Sequence, residues 1–96
     1  MIHEGIYGYY QGPTYETKSE IRFQKKYNID AAGMSTVPES NEAILKGIKV
    51  IALSVITNIL KENDSEPALH ESVIKNAKAA SVNLNKALSA LIRQLN

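Results

Sequence analysis

The first 60 residues contain three short apolar stretches, and a more polar stretch follows each of them. They cover residues 2–11, 29–34 and 48–56; the first and third are rich in β-branched or aromatic residues, and the second in small ones. The third stretch, IKVIALSVI, shows no alternation of apolar and polar residues, which is typical of a strand covered on both faces of a parallel sheet. The pattern therefore predicts three strands.

Two of the polar stretches begin with a helix-start signal. A Thr-x-x-Glu pattern occurs at residues 17–20 and again at residues 36–39. In such a capping box each side chain bonds to the other residue's backbone N–H. The first box predicts a helix over about residues 18–27. The second, with Pro38 in the first turn, predicts a helix that runs through Leu45.

Two residues are predicted to end these helices. Asn28 follows the first helix and Gly47 follows the second. Both residue types tolerate the left-handed backbone conformation that commonly terminates a helix. We therefore expect each helix to stop within one turn of these positions.

The final third of the chain has the clearest helical periodicity. Asp64 or Ser65 can cap this helix, with Pro67 in its first turn. Apolar residues recur at steps of three and four and form one stripe about 40 Å long. The stripe comprises Leu69, Val73, Ala77, Ala80, Leu84, Leu88, Leu91 and Leu95. Packing against a sheet is one interpretation of this stripe, and a coiled-coil contact is the other.

These elements give the order β-α-β-α-β-α, an α/β fold. Right-handed crossovers between the strands make the sheet mainly parallel and place the helices on its faces. A chain of 96 residues suffices for one small domain, and it buries only about 60–65% of its unfolded surface. We therefore expect a single partial domain, residues 1–96, containing a partial sheet with flanking helices.

Composition narrows the classes of function. Eleven basic and ten acidic residues are scattered along the chain, which argues against a nucleic-acid partner. There is no cysteine, and neither His3 nor His70 belongs to a metal-binding motif, so we expect no metal site. No apolar run approaches the roughly 20 residues that span a membrane. The N-terminus lacks the features of a signal peptide, so a cytoplasmic location is expected.

The carboxyl ends of the predicted strands carry the candidate chemistry. Parallel sheets bind ligands beyond these ends, so neighbouring strands would bring their end residues to one rim. The three pairs at this rim are Tyr15 and Glu16, Met34 and Ser35, and Thr57 and Asn58.

The polar groups at this rim suit a planar heterocycle. The carboxylate of Glu16 only accepts hydrogen bonds, whereas the amide of Asn58 donates and accepts. Tyr15 offers an aromatic face, and backbone N–H groups near Met34 and Ser35 can meet a sugar hydroxyl or an anion. Structural roles remain open for all of these, such as a turn for Asn58 or the core for Met34.

Four ordered segments strongly resemble the trimeric purine nucleoside phosphorylases. The segments are GPTYET followed by EIR (residues 12–22), AGMSTVPE (32–39), LSVITN (53–58), and HE (70–71) ahead of a long helix. The resemblance covers essentially the whole chain and corresponds to the C-terminal part of the family's chains. It implies part of the nucleoside phosphorylase fold.

The resemblance also implies roles for the rim residues. Glu16 would accept a hydrogen bond from N1–H of a 6-oxopurine, and Asn58 would bond near N7 and O6 of the leaving base. The remaining roles implied by the resemblance are purine contacts for Tyr15 and Thr57, ribose contacts for Met34 and His70, and phosphate binding for Ser35. The reaction would be phosphorolysis to the free base and ribose 1-phosphate, with phosphate as co-substrate and no cofactor.

Two further expectations follow from the resemblance. Related methylthioadenosine phosphorylases have Asp at the position of Asn58 and lack a counterpart of His70, so this chain resembles the branch that handles inosine and guanosine. The family's Gly-rich phosphate loop and phosphate-site arginines have no counterpart here, so we expect the chain alone to be inactive. It would need the N-terminal part or self-association, the family being typically homotrimeric. The alternative is a non-catalytic module for base binding or assembly.

Overall fold

The computed structural model describes residues 2–61 and 70–95, which group into two compact units. The first unit holds the described residues 2–54 and 61, and the second holds residues 55–60 and 70–95. The prediction of one partial domain over residues 1–96 stays a prediction.

The first unit contains a parallel pair of short strands. Strand β1 (Tyr7–Tyr9) pairs with β2 (Ala31–Gly33), with Tyr7 opposite Ala31 and Tyr9 opposite Gly33. Asp30 anchors the entrance to this pair, because its Oδ2 accepts from the Ile6 N–H at 2.8 Å and its own N–H donates to the Ile6 carbonyl at 2.9 Å. The parallel pairing expected from the sequence is therefore present, over shorter strands.

Helix α1 (Lys18–Lys26) begins at the predicted capping box. The Glu20 N–H donates to Thr17 Oγ1 at 3.2 Å, and the Thr17 N–H donates to Glu20 Oε1 at 3.2 Å. These reciprocal bonds satisfy two N–H groups that the start of a helix otherwise leaves unpaired. Its only buried side chain is Ile21, which is 8% exposed.

The two predicted helix stops are confirmed. Asn28 follows α1 with φ 55°, and Gly47 follows α2 (Val37–Leu45) with φ 74°. Beyond α2, the Gly47 N–H donates to the Ile44 carbonyl at 2.9 Å and the Ile48 N–H donates to the Ala43 carbonyl at 3.0 Å. This is the Schellman pattern, which satisfies the last carbonyls of a helix. The equivalent bonds from residues 28 and 29 end α1 in the same way.

The capping box predicted at the start of α2 is wrong. Thr36 has φ 78° and ψ −50°, outside the extended conformation of an N-cap, and its side chain makes no capping bond. Instead, Thr36 Oγ1 lies 3.1 Å from Ser35 Oγ. Pro38 does occupy the first turn of the helix, as expected. The spacing of Thr36 and Glu39 matches the Thr-x-x-Glu pattern of a capping box. The turn out of β2, however, gives Thr36 a positive φ that is incompatible with an N-cap.

The third predicted strand, residues 48–56, is also wrong. These residues, all of which the structure describes, are neither strand nor helix, and most of them are exposed. A β-branched run favours a strand only when neighbouring strands supply hydrogen bonds and packing. No backbone–backbone hydrogen bond joins residues 49–61 to another described residue.

Helix α3 (His70–Leu95) has 26 residues, or about 39 Å at 1.5 Å per residue. The predicted stripe is partly recovered, since Val73, Ala80, Leu84 and Leu91 are half-buried whereas Ala77, Leu88 and Leu95 are exposed. Its predicted start lies outside the described residues, together with Asp64, Ser65, Pro67 and Leu69.

The described elements confirm the predicted α/β class. Their order is β1-α1-β2-α2-α3, with one parallel pair of strands and three helices. No helix within residues 2–61 and 70–95 has the length and apolar character needed to cross a membrane.

Candidate functional site

The carboxyl ends of β1 and β2 lie side by side, as their parallel register requires. Just beyond β1, the Tyr10 N–H donates to the Gly33 carbonyl at 2.9 Å and so extends the pairing by one bond. The chain then reaches Gly12, where φ is 76°. The residues that follow the two strands therefore leave the same edge of the sheet.

Gly12 and Met34 are in close contact at this edge. A Cβ atom at position 12 would lie 2.6 Å from Met34 Sδ and 3.2 Å from its Cγ. The positive φ and this contact both favour glycine at position 12. The Gly-Pro turn after β1 thus sits against the thioether side chain that follows β2. The sequence showed Gly12 only as the first residue of the GPTYET segment, and nothing in it indicated the contact with Met34.

Tyr15 and Glu16 occupy the link between this turn and α1. Both are half-buried, and Glu16 directly precedes Thr17, the N-cap of α1. Because the capping box fixes Thr17, the start of α1 holds the backbone of Glu16. A carboxylate here accepts hydrogen bonds only.

Met34 and Ser35 follow β2 and remain exposed. The Ser35 carbonyl accepts from the Val37 N–H at 2.9 Å, which forms the tight turn into α2. The Ser35 hydroxyl is 3.1 Å from the Thr36 hydroxyl, so two hydroxyl groups lie together at this turn. Hydroxyls of this kind can donate hydrogen bonds to an anion or a sugar oxygen.

Thr57 and Asn58 belong to the second unit and line a pocket there. Its volume is about 470 Å³, and both residues are half-buried. The lining comprises Ile56, Thr57, Asn58, Ile59, Asn76, Ala79 and Ala80. Asn76, on α3, donates from Nδ2 to the Thr57 carbonyl at 2.5 Å. Sequence analysis did not single out Asn76, although it is an amide among the alanines at 77, 79 and 80.

The predicted rim residues fall into two groups. Tyr15, Glu16, Met34 and Ser35 belong to the first unit, whereas Thr57, Asn58 and His70 belong to the second. His70 is exposed and is the first residue of α3. The structure thus brings together the ends of the first two strands, and a rim made of all three segments stays a prediction.

A metal centre has no candidate among the residues that the structure describes. Within them, no three His, Asp or Glu side chains are grouped so that they could hold an ion. The functional groups of the predicted site residues are carboxylate, amide, hydroxyl, thioether, phenol and imidazole. Such groups bind through hydrogen bonds and packing.

Comparison with known proteins places the chain in a family. The model of the phosphorylase superfamily matches residues 1–93. The chain is 38% identical over 96 residues to the purine nucleoside phosphorylase of Rattus norvegicus, covering 98% of this chain and 33% of that protein. The chain is also 36% identical, over an alignment of 107 residues, to the purine nucleoside phosphorylase of Saccharomyces cerevisiae. This alignment covers 98% of this chain and 34% of that protein.

A bacterial relative gives the same result. Purine nucleoside phosphorylase 1 of Bacillus subtilis is 34% identical over 93 residues, which are 97% of this chain and 34% of the relative. The chain thus spans about a third of the length of the curated relatives it matches. This coverage is consistent with correspondence to one part of the family's chains. From the strand-end geometry together with the match over residues 1–93, we conclude that this chain belongs to the phosphorylase superfamily.

Proposed function

We propose that this chain supplies nucleobase and ribose contacts to a purine nucleoside phosphorylase. The observation that carries the proposal is the shared carboxyl edge of β1 and β2, where the turn at Gly12 contacts Met34. The chain that forms this edge belongs to the phosphorylase superfamily. Ligands of parallel α/β sheets bind beyond this edge.

The purine half of the site rests on Glu16 and Asn58. The Glu16 carboxylate accepts from N1–H of a 6-oxopurine, and the Asn58 amide bonds near N7 and O6. Tyr15 and Thr57 pack beside the base. Negative charge develops on the purine as its bond to the sugar breaks, so the Asn58 contact strengthens in the transition state.

The sugar and phosphate contacts rest on three further residues. Met34 lies against the ribose, and His70 reaches its 5′-hydroxyl. The Ser35 hydroxyl, at the exposed turn into α2, donates to the attacking phosphate. A phosphate oxygen bonds to C1′ of the ribose while the C1′–N9 bond breaks, and the bonding pair leaves with the purine. Because one serine is a weak phosphate site compared with an arginine clamp, turnover needs groups from additional polypeptide.

The test uses a complemented protein, in which this chain replaces the matched third of the Bacillus subtilis relative. We expect it to convert inosine and phosphate to hypoxanthine and ribose 1-phosphate, measured by chromatography. The 96-residue chain alone should give no turnover above buffer. A complemented protein that folds, as judged by circular dichroism and thermal melting, yet releases no hypoxanthine would contradict the proposal.

A matched pair of variants tests the role of Glu16. Glu16→Gln keeps the shape but replaces a charged acceptor by a neutral one, so kcat/KM for inosine should fall about tenfold. Glu4→Gln, at an exposed position before β1, should leave kcat/KM unchanged. Equal effects of the two substitutions would remove Glu16 from the base site. Base binding without any turnover in both proteins would favour the non-catalytic alternative.

The preference for 6-oxopurines has its own test. Asn58→Asp exchanges an amide donor for an acceptor, which suits the 6-amino group of adenosine better than the 6-oxo group of inosine. We expect the ratio of kcat/KM for inosine over adenosine to fall in this variant of the complemented protein. A wild-type ratio near one would contradict the 6-oxopurine assignment.

A further inference from the structure

The hydrogen bond between Asn76 and Thr57 has a consequence for the neighbouring Asn58. Asn76 Nδ2 donates to the Thr57 carbonyl at 2.5 Å, across 19 positions of sequence. We infer that Asn76 is a positioning residue that orients Asn58 against the purine. This inference rests on the proposed function, because it concerns the same base-binding residue.

The planarity of the peptide bond links the two residues. The Thr57 carbonyl and the Asn58 N–H belong to one rigid plane, so a bond that fixes the carbonyl also fixes the direction in which the Asn58 backbone leaves it. No backbone–backbone hydrogen bond connects residues 49–61 with another described residue, so the Asn76 bond fixes a carbonyl that no described backbone N–H holds. Asn76 therefore ties residues 55–60, which belong to the same unit, to helix α3.

The pocket of the second unit supports the same role. Asn58 and Asn76 line the same open pocket of about 470 Å³. Ala79 and Ala80, one turn further along α3, also line it. Their small side chains let the segment approach the helix, so the amide of Asn76 can reach the carbonyl.

Asn76 acts on the reaction through orientation alone. An Asn58 amide aimed at N7 stabilises the departing purine, and a small misplacement weakens this interaction where it matters most, in the transition state. Loss of the Asn76 donor also leaves the Thr57 carbonyl without this bond. The effect should therefore depend on how much the leaving base needs a contact at N7.

The experiment compares two isosteric substitutions in the complemented protein. Asn76→Asp removes the donor and places a carboxylate beside the carbonyl, whereas Asn83→Asp makes the same change elsewhere on the exposed surface of α3. Each variant is assayed with inosine and with 7-methylinosine. In the second substrate N7 is already methylated and the base ring is positively charged, so its departure needs no stabilising contact at N7.

For Asn76→Asp we expect kcat/KM for inosine to fall about tenfold and kcat/KM for 7-methylinosine to change much less. Asn58→Ala should show the same dependence on substrate, and adding Asn76→Asp to it should cause little further loss. Equal losses on both substrates, or equal losses for Asn76→Asp and Asn83→Asp, would overturn the inference alone. A folded wild-type complemented protein that is inactive towards inosine would overturn the proposed function, and this inference with it.

Discussion

At the scale of single residues, the strand pair depends on glycines that allow close approach. A Cβ atom added at Gly33 would overlap the hydroxyl oxygen of Tyr7, on the adjacent strand, and would lie 3.2 Å from its Cζ. Tyr7 is half-buried, so its ring cannot move away without loss of packing. Gly33 therefore lets the last residue of β2 pack under an aromatic side chain.

A double substitution tests this contact. Gly33→Ala should destabilise the 96-residue chain by about 1–3 kcal/mol because the strand must accept an overpacked side chain. Tyr7→Phe removes the overlapping oxygen, so it should recover part of this loss when combined with Gly33→Ala. The free energy of unfolding is measured with urea at low protein concentration. Strictly additive effects of the two substitutions would show that Gly33 and Tyr7 do not interact.

At the scale of elements, the two Thr-x-x-Glu patterns show what sequence can and cannot predict. The spacing alone identified the start of α1 correctly, because Thr17 has the extended conformation that an N-cap requires. The same spacing failed at Thr36, whose positive φ is imposed by the turn out of β2. Local sequence patterns thus predicted the helices and their ends well. They failed to predict the N-cap of α2, where the turn out of β2 determines the backbone conformation of Thr36.

The contrast between these threonines gives a second prediction. Thr17→Ala should destabilise the chain by about 1 kcal/mol because it removes the hydroxyl that accepts from the Glu20 N–H at the start of α1. Thr36→Gly should have the opposite sign and stabilise the chain by roughly 0.5–1 kcal/mol, since glycine adopts a positive φ without strain. Urea unfolding and hydrogen exchange in the first turns of α1 and α2 provide the measurement. Destabilisation by Thr36→Gly would contradict the assigned backbone conformation.

Residues 48–56 show a different limit of sequence reasoning. Their composition predicted a buried strand, yet in the structure they have no strand partner and are largely exposed. Composition reports what a segment tolerates, whereas strand formation needs neighbours that form hydrogen bonds with it. Thr57 and Asn58 could likewise be selected from the sequence as candidate site residues. The hydrogen bond from Asn76 to Thr57 could not be predicted, because it joins residues 19 positions apart.

At the scale of the whole molecule, the described residues expose many large apolar side chains. Ile44, Leu45, Ile48 and Ile51 are between 57% and 82% exposed, and Ile21 alone is buried among the hydrophobic residues described. Contiguous exposed apolar surface commonly marks an interface.

This exposure predicts concentration-dependent association of the isolated chain. Ile51→Ser should reduce this association because it removes apolar area from the exposed residues 44–51. Ile2→Ser makes the same change at an exposed position outside residues 44–51 and should reduce association less. Size-exclusion chromatography with light scattering gives the mass at several concentrations. A chain that stays monomeric throughout would contradict the prediction. In the complemented protein, further polypeptide would cover this surface, so Ile51→Ser should instead lower the melting temperature.

The parallel register of β1 and β2 also bears on the order of events during folding. Tyr7 pairs with Ala31, so the pairing closes a loop of about 24 residues, at an entropic cost of roughly 3 kcal/mol plus a constant. Helix formation takes about a microsecond or less. Because α1 lies within this loop and rises only about 1.5 Å per residue, its formation shortens the chain that the loop must close. Because both ends of α1 are satisfied by short-range bonds, we expect the helix to form first. The strands would then meet across it, completing a folding nucleus before α2 and α3 are needed.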